Sequence, residues 1–214
     1  MPELPLLHVD AACIVVVKPA GLLAVPGRGE HMQDCASARV QARFEDARVV
    51  HRLDMATSGL MLFARGAAAQ RFLSRAFAQR EVHKRYVAIV HGRIVQPEGE
   101  IDLALMADWP NRPRQKVDSA QGKPSLTRYR VLGYDAATDT ATDTTRVALE
   151  PVTGRAHQLR VHLVAIGHAI LGDALYAPPS VQALSSRLLL HAESLTFPHP
   201  AGGAALRLEC HVPF

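Results

Sequence analysis

The chain has 214 residues, of which 48% are hydrophobic, and it carries a formal net charge of +4. This length suits one medium domain with a substantial core. The sequence contains no apolar run of about 18 residues, so it predicts no membrane-spanning helix. The three cysteines (Cys13, Cys35 and Cys210) form no CxxC pair. We therefore expect a cytoplasmic protein without a disulfide framework or a cysteine zinc site.

The first half of the chain contains five segments with the pattern of a regular element. The strand candidates are apolar or β-branched runs bounded by turn residues, and the helix candidates carry apolar residues at helical spacing. The predicted elements are strands at 13–18, 60–64 and 86–90, and helices at 36–44 and 67–79.

The second half predicts strands more often than helices. A loop or small hairpin is expected at 106–124, which is polar and basic, and a surface turn at 135–145, which is rich in Asp, Thr and Ala. The predicted elements are strands at 126–132, 147–149, 188–191 and 206–212, and a helix at 156–166 that Gly167 ends.

Strands outnumber helices without regular βαβ alternation, which predicts the α+β class. The expected architecture is a single catalytic domain over residues 1–214. It would contain a mixed, mainly antiparallel sheet, with helices and loops around a central cleft.

The most informative stretch is VHRLDMATSGL at residues 50–60. Asp54 follows His51 and Arg52, whose positive charge would favour an ionised carboxylate. An oriented carboxylate in a loop can act as a nucleophile or a general base. A structural ion pair between Asp54 and Arg52 is also compatible with the pattern, so the loop alone leaves both interpretations open.

Two further motifs carry polar groups suited to a binding site. Tyr86 opens a predicted strand after Lys84 and Arg85, where its ring is either a stacking face for a base or an ordinary sheet tyrosine. The second motif is GRAHQLRVH at 154–162. His157 and His162 are five residues apart, which is a poor spacing for one helical face, so we expect no metal site.

Together with Lys18-Pro19-Ala20-Gly21 and the GHAILGD segment at 167–173, these motifs resemble those of the RluA-type pseudouridine synthases from about Leu7 onward. The resemblance implies that Asp54 is the catalytic carboxylate, that Arg155 pairs with it, and that Tyr86 stacks on the target uracil. It implies an RNA isomerase that needs no cofactor. The expected substrate-binding residues are His51, Arg52, Leu53, Thr57, Ser58, Gly59, Lys84, Arg85, His157, Gln158 and Arg160.

The segments ADWPNRP at 107–113 and GKP at 122–124 resemble the short RluA subgroup, which modifies uridine 32 of tRNA and uridine 746 of large-subunit rRNA. The lack of room before Leu7 for an S4-type domain fits this subgroup. We therefore expect a monomer that binds tRNA, rRNA or both through its basic segments. Ala156 stands where the family has Thr or Ser, so we expect any contact of that hydroxyl to be missing. Ala169 replaces the family's Pro, which should loosen the turn.

Two other classes of protein are compatible with parts of the sequence. A glycoside hydrolase or base-releasing glycosylase would need a second carboxyl as general acid, about 5–10 Å from the first, and the candidates are Asp10 and Asp173. An inert RNA-binding module would use the basic segments alone and would keep its affinity without Asp54. Neither alternative uses Asp54, Tyr86 and Arg155 together.

Overall fold

The structure is a computed structural model that describes residues 3–135, 143–202 and 205–214. None of the helices in these ranges is long and apolar enough to cross a bilayer. The strands are β1 (Leu6–Val9), β2 (Cys13–Lys18), β3 (Ala47–Val49), β4 (Ser58–Arg65), β5 (His83–His91), β6 (Glu98–Asp102), β7 (Leu105–Ala107), β8 (Gln115–Val117), β9 (Leu126–Asp135), β10 (Thr144–Pro151), β11 (Leu190–Phe197) and β12 (Leu206–Glu209). The helices are α1 (Ala36–Gln41), α2 (Gly66–Ala78), α3 (Gln158–Ala165) and α4 (Pro179–Gln182), with single 3₁₀ turns at Glu30–Met32 and Trp109–Asn111.

The chain divides into two compact units. The first contains residues up to 84 and 191–213, and the second contains 85–190 with Phe214. In the first unit the strand order is β1-β2-β4-β11-β12, and β3 also pairs with β4. Strand β4 is buried along nearly its whole length, as expected of an apolar central strand.

The core of the first unit lies between β2, β4 and α2. Leu73 and Ala76 of α2 pack with Val15, Leu60 and Leu62 of the two strands, all at most 2% exposed. The helical spacing of these apolar residues places them on one face of α2. This buried layer supports the start of β4, where the Asp54 loop ends.

The second unit contains the strand order β5-β10-β9-β6 and a separate hairpin of β7 and β8. In the two units as described, β4 pairs with β11 in parallel and the other paired strands run antiparallel. The predicted α+β class with a mixed, mainly antiparallel sheet is therefore confirmed.

Most predicted elements occur where the sequence places them, with shifts of a few residues. The helix predicted from 156 begins at Gln158, because His157 has a left-handed backbone (φ 53°) that no α-helix accommodates. Gly167 follows the end of this helix with φ 88°, as predicted. Strands β1, β3 and β6 and helix α4 were not predicted, because each is short and lacks a clear apolar period. Of the predicted turn at 135–145, residues 136–142 lie outside the described residues.

Candidate active site

The loop at 50–57 connects β3 to β4 and carries Asp54, which is half-buried. Leu53 is 6% exposed and holds the loop against the protein interior. The loop turns back on itself at the acid, because the Thr57 N–H donates to the Asp54 carbonyl at 3.1 Å. Asp54 therefore lies on a short turn with one neighbour anchored in the core.

A buried lysine fixes the next residue of this loop. Lys18, with no exposed surface, donates from Nζ to the Met55 carbonyl at 3.1 Å and to the carbonyls of Pro19 and Leu22 at 2.9 and 2.7 Å. The Gly21 N–H also donates to the Met55 carbonyl, at 2.9 Å. Hydrogen bonds to an ionised donor are among the stronger ones, so Lys18 joins the KPAG turn firmly to the residue after the acid.

His51 anchors the start of the loop. Its Nε2 accepts the backbone N–H of Leu62 at 2.8 Å, and its ring stacks on Phe77 with centroids 4.9 Å apart. Burial, reinforced by the positive charge of Lys84, lowers the pKa of His51 to about 3. His51 is therefore neutral and supports the loop, whereas the sequence suggested a cation that binds substrate.

Thr57, Ser58 and Gly59, which the sequence assigned to substrate binding, are buried in the structure. The Ser58 hydroxyl hydrogen-bonds with Nδ1 of His191 at 2.8 Å. Gly59 has φ 114°, and a Cβ there would collide with the backbone of Ala192 on the parallel strand β11. Ser58 and Gly59 therefore join β4 to β11, while the assignment of all three residues to substrate binding stays a prediction.

In the second unit, Tyr86 lies on β5 opposite the fully buried Leu149 of β10. Arg85 points to the other face of the strand, because successive side chains alternate. The structure thus separates Arg85 from Tyr86, although the sequence assigned both to one site. Arg85 lines an open groove of about 430 Å³ whose other charged residues are Glu98, Glu100, Arg128, Arg130 and Glu150.

Arg155 is exposed in the loop before α3, three residues ahead of the first helical residue. Its Nε donates to the Pro124 carbonyl at 3.4 Å, and its backbone N–H donates to Oε1 of Gln158 at 3.0 Å. The sequence placed Arg155 at the helix start. The structure places it on a loop whose backbone the helix anchors.

Gln158 is the anchor of that loop and is only 4% exposed. Its Oε1 also accepts the Thr153 hydroxyl at 2.7 Å, and its Nε2 donates to the Leu126 carbonyl and the Thr127 hydroxyl at 2.9 and 3.0 Å. All four hydrogen-bonding positions of the amide are engaged within the protein. Gln158 therefore positions Arg155 and is not available to bind RNA, contrary to the assignment from sequence.

Arg160 forms a buried bidentate ion pair with Asp173, with N–O distances of 2.8 and 2.6 Å. The Asp173 carboxylate also accepts the backbone N–H groups of Leu175 and Tyr176. Arg160 thus joins the GRAHQLR motif to the GHAILGD motif and is only 3% exposed. Asp173 has no exposed surface, so it cannot be the general acid that a glycosidase would require.

Tyr176 connects three segments of the second unit, and sequence reasoning missed it. Its hydroxyl accepts the Gln115 N–H at 2.8 Å and hydrogen-bonds with Nδ1 of His157 at 2.6 Å. The Arg160 guanidinium lies 5.0 Å from its ring centroid. The position of Tyr176 three residues after Asp173 gave no local signal of these contacts, because Gln115 is 61 residues away.

The other rival acid, Asp10, is ionised. Burial opposes this, but hydrogen bonds from the backbone N–H groups of Ala12 and Cys13 and from His8 and His199 hold its pKa well below the usual range. A carboxylate with a depressed pKa cannot supply a proton near neutral pH. Neither carboxyl proposed as a glycosidase partner is therefore suited to that role.

His8, Asp10, Cys13 and His199 place possible metal-binding atoms within 4.8 Å of one another. Hydrogen bonds explain this cluster. Nε2 of His8 and of His199 lie 2.6 and 2.8 Å from the same Asp10 oxygen. Nδ1 of His199 accepts the Ala201 N–H at 3.3 Å, so Nε2 carries the proton donated to Asp10. A metal at Nε2 would require the opposite tautomer.

Asp54 belongs to the first unit, and Tyr86 and Arg155 belong to the second. Their combination in one catalytic site remains a prediction. What the structure does show is that each is carried by a well-supported segment: a clamped loop, a strand of the sheet, and a loop anchored by Gln158.

Comparison with known proteins gives consistent results. Residues 12–165 match the family model of RNA pseudouridylate synthase. The chain is 50% identical over 213 residues to the dual-specificity RNA pseudouridine synthase RluA of Escherichia coli K12, covering 100% of this chain and 95% of the relative. The Yersinia pestis protein of the same name is 49% identical over 208 residues, covering 97% and 98%. Among solved structures, human RNA pseudouridylate synthase domain containing 1 is similar with a TM-score of 0.83 at 29% identity, covering 99% of this chain and 84% of that one.

Proposed function

The chain belongs to the RNA pseudouridylate synthase family and is an RNA isomerase, and we propose that its substrates are uridine 32 of the tRNA anticodon loop, uridine 746 of large-subunit rRNA, or both. The observation that carries this proposal is half-identity over the full chain to relatives named as dual-specificity enzymes. Because such RNAs are cytoplasmic, we expect the enzyme to be cytoplasmic as well. We also expect it to be a monomer in which residues 1–214 act as one catalytic domain.

The reaction breaks the bond between ribose C1′ and uracil N1 and forms a bond between C1′ and C5. The hydrogen on C5 leaves as a proton and N1 gains one, so the change is an isomerisation without oxidant or reductant. The target base must first leave its stack, at a cost of a few kcal/mol, and an unpaired loop lowers that cost.

Within this proposal, Asp54 is the essential carboxylate. Three routes are open to it: attack on C1′, removal of a proton from C2′, or addition to C6 of the uracil. The clamp on Met55 by Lys18 supports all three, because each requires a carboxylate held in a fixed place.

Four other residues are assigned to the catalytic site. Tyr86 stacks on the uracil and Arg155 pairs with Asp54. Arg52 is exposed beside the acid, where it either fills the space left by the flipped base or contacts the RNA backbone. Lys84 is half-buried, and burial lowers its pKa. A phosphate bound near Lys84 would favour its charged form.

The test is to incubate the purified protein with transcripts of a tRNA and of an rRNA hairpin and to map pseudouridine by carbodiimide modification and primer extension. We expect carbodiimide-dependent stops at tRNA 32, rRNA 746 or both. Modification of only another uridine would overturn the target and retain the reaction. Release of free uracil would indicate a glycosylase, and binding without modification would indicate an inert module.

A further inference from the structure

The hairpin formed by β7 and β8, residues Leu105–Val117 and here called the basic hairpin, has a rigid tip. The Asp108 N–H donates to the Arg114 carbonyl at 2.9 Å, and the N–H groups of Asn111 and Arg114 donate to the carbonyls of Asp108 and Asn111, both at 3.0 Å. The Asn111 side chain adds a bond to the Asp108 carboxylate at 2.9 Å. The tip is therefore ordered before any partner binds.

This rigid tip displays an indole ring. Trp109 is 64% exposed, although tryptophan is usually well buried. The guanidinium of Arg112 lies over the ring, with Cζ 3.2 Å from the centroid. The stack orients both side chains without burying the ring, which is the arrangement of a prepared aromatic surface.

The charges of the basic hairpin indicate the partner's chemistry. Arg112, Arg114 and Lys116 are all exposed, Arg112 lies over the ring, and Lys116 is 3.8 Å from the Asp118 carboxylate. An aromatic face next to several cations matches an unpaired nucleotide, whose base stacks on the ring while its phosphates meet the cations. A double helix offers phosphates but no free base face.

The basic hairpin is attached to the loop that carries Arg155. Tyr176 joins Gln115 of β8 to His157, two residues after Arg155. Arg155 itself reaches the Pro124 carbonyl, shortly after the hairpin. A nucleotide held at the tip would therefore lie in the same part of the second unit as residues proposed to act on the uridine.

We propose that Trp109 is a stacking platform for an unpaired RNA base near the target uridine, with Arg112 orienting the ring. This inference rests on the proposed function, because it takes RNA as the partner. It makes the enzyme selective for stem-loops over duplexes through a contact separate from the uracil pocket.

Trp109 is the single tryptophan of the chain, so its fluorescence reports this contact directly. The experiment titrates the protein with a stem-loop RNA that has a seven-nucleotide loop, and with the same RNA annealed to its complement. We expect quenching by the stem-loop only. Trp109→Ala should weaken stem-loop binding about tenfold or more, and Trp109→Phe, which keeps a ring, should lose less. Binding of both variants is followed by filter retention.

Arg93→Ala is the matched control, because Arg93 is also an exposed arginine stacked on an aromatic ring, 4.0 Å from the centroid of Tyr134. We expect Arg112→Ala to weaken binding of the stem-loop RNA, because Trp109 loses the guanidinium stacked on its ring. Arg93→Ala should weaken binding of the same RNA less. Equal quenching by the duplex, or unchanged affinity of Trp109→Ala, would overturn the inference while pseudouridine formation still stood. Quenching without any pseudouridine would instead leave the platform in place and overturn the proposed function.

Discussion

The loop that carries Asp54 and the tip of the basic hairpin are both short connections between strands, yet they are held in opposite ways. A lysine without exposed surface and a neutral histidine tie the Asp54 loop to the protein interior. The basic hairpin closes through its own backbone hydrogen bonds and leaves Trp109 exposed. The difference matches two tasks, since a reacting carboxylate requires a fixed position and a binding surface requires access to its partner.

Removing the Lys18 ammonium should have the largest effect on stability. Lys18→Met keeps most of the buried chain length but leaves three carbonyls without this donor. We expect unfolding to become easier by about 3 kcal/mol, because bonds to charged donors contribute more than neutral ones. Activity should fall as well, because the Asp54 loop loses its clamp. Urea denaturation measures the first effect, and an unchanged midpoint would mean that the clamp does not support the loop.

The pH dependence of the unfolding free energy should show that His51 is neutral in the folded protein. Its pKa is about 3 in the folded protein, because burial and then the Lys84 charge disfavour the cation, against about 6.5 in the unfolded chain. The contribution of His51 to the unfolding free energy is therefore complete above about pH 7. It falls as the pH drops below about 6.5, because only the unfolded state then gains the proton.

Between pH 7.5 and pH 5 this effect should reach about 1–2 kcal/mol. His51→Gln, whose amide oxygen can still accept the Leu62 N–H, should remove that part of the pH dependence. The control is His31→Gln, since His31 is exposed. Identical pH profiles for the wild type and His51→Gln would show that His51 is not neutral by burial.

A smaller effect is expected where the basic hairpin joins its own unit. Tyr176→Phe removes a hydroxyl that accepts the Gln115 N–H and bonds to His157. The loss should be about 1 kcal/mol in unfolding free energy. KM for RNA should rise more than kcat falls, because the hairpin becomes less fixed, whereas the loop that carries Arg155 keeps its anchor on Gln158. A fall in kcat alone would contradict this division of roles.

Sequence patterns predicted the elements well where a run was long and periodic, as in α2 and β2. They also identified the motifs, but they did not separate residues that touch substrate from residues that support them. Ser58 is buried against a partner 133 residues away, and Arg160 is paired with Asp173. Such roles depend on which chain segments meet, and a motif does not record that. Tyr176 was missed for the same reason.

Asp54 is proposed to perform the chemistry, and the release of tritium from RNA labelled at uridine C5 reports that step. Asp54→Asn keeps the size of the side chain and should lower tritium release by at least about 10³-fold, with an unchanged melting temperature and RNA affinity. Asp34→Asn is the control, because Asp34 is a carboxylate of the same unit that is paired with Arg39 at the surface. Full release by Asp34→Asn and none by Asp54→Asn is the predicted result. Release by Asp54→Asn within a few-fold of the wild type would show that another group performs the chemistry.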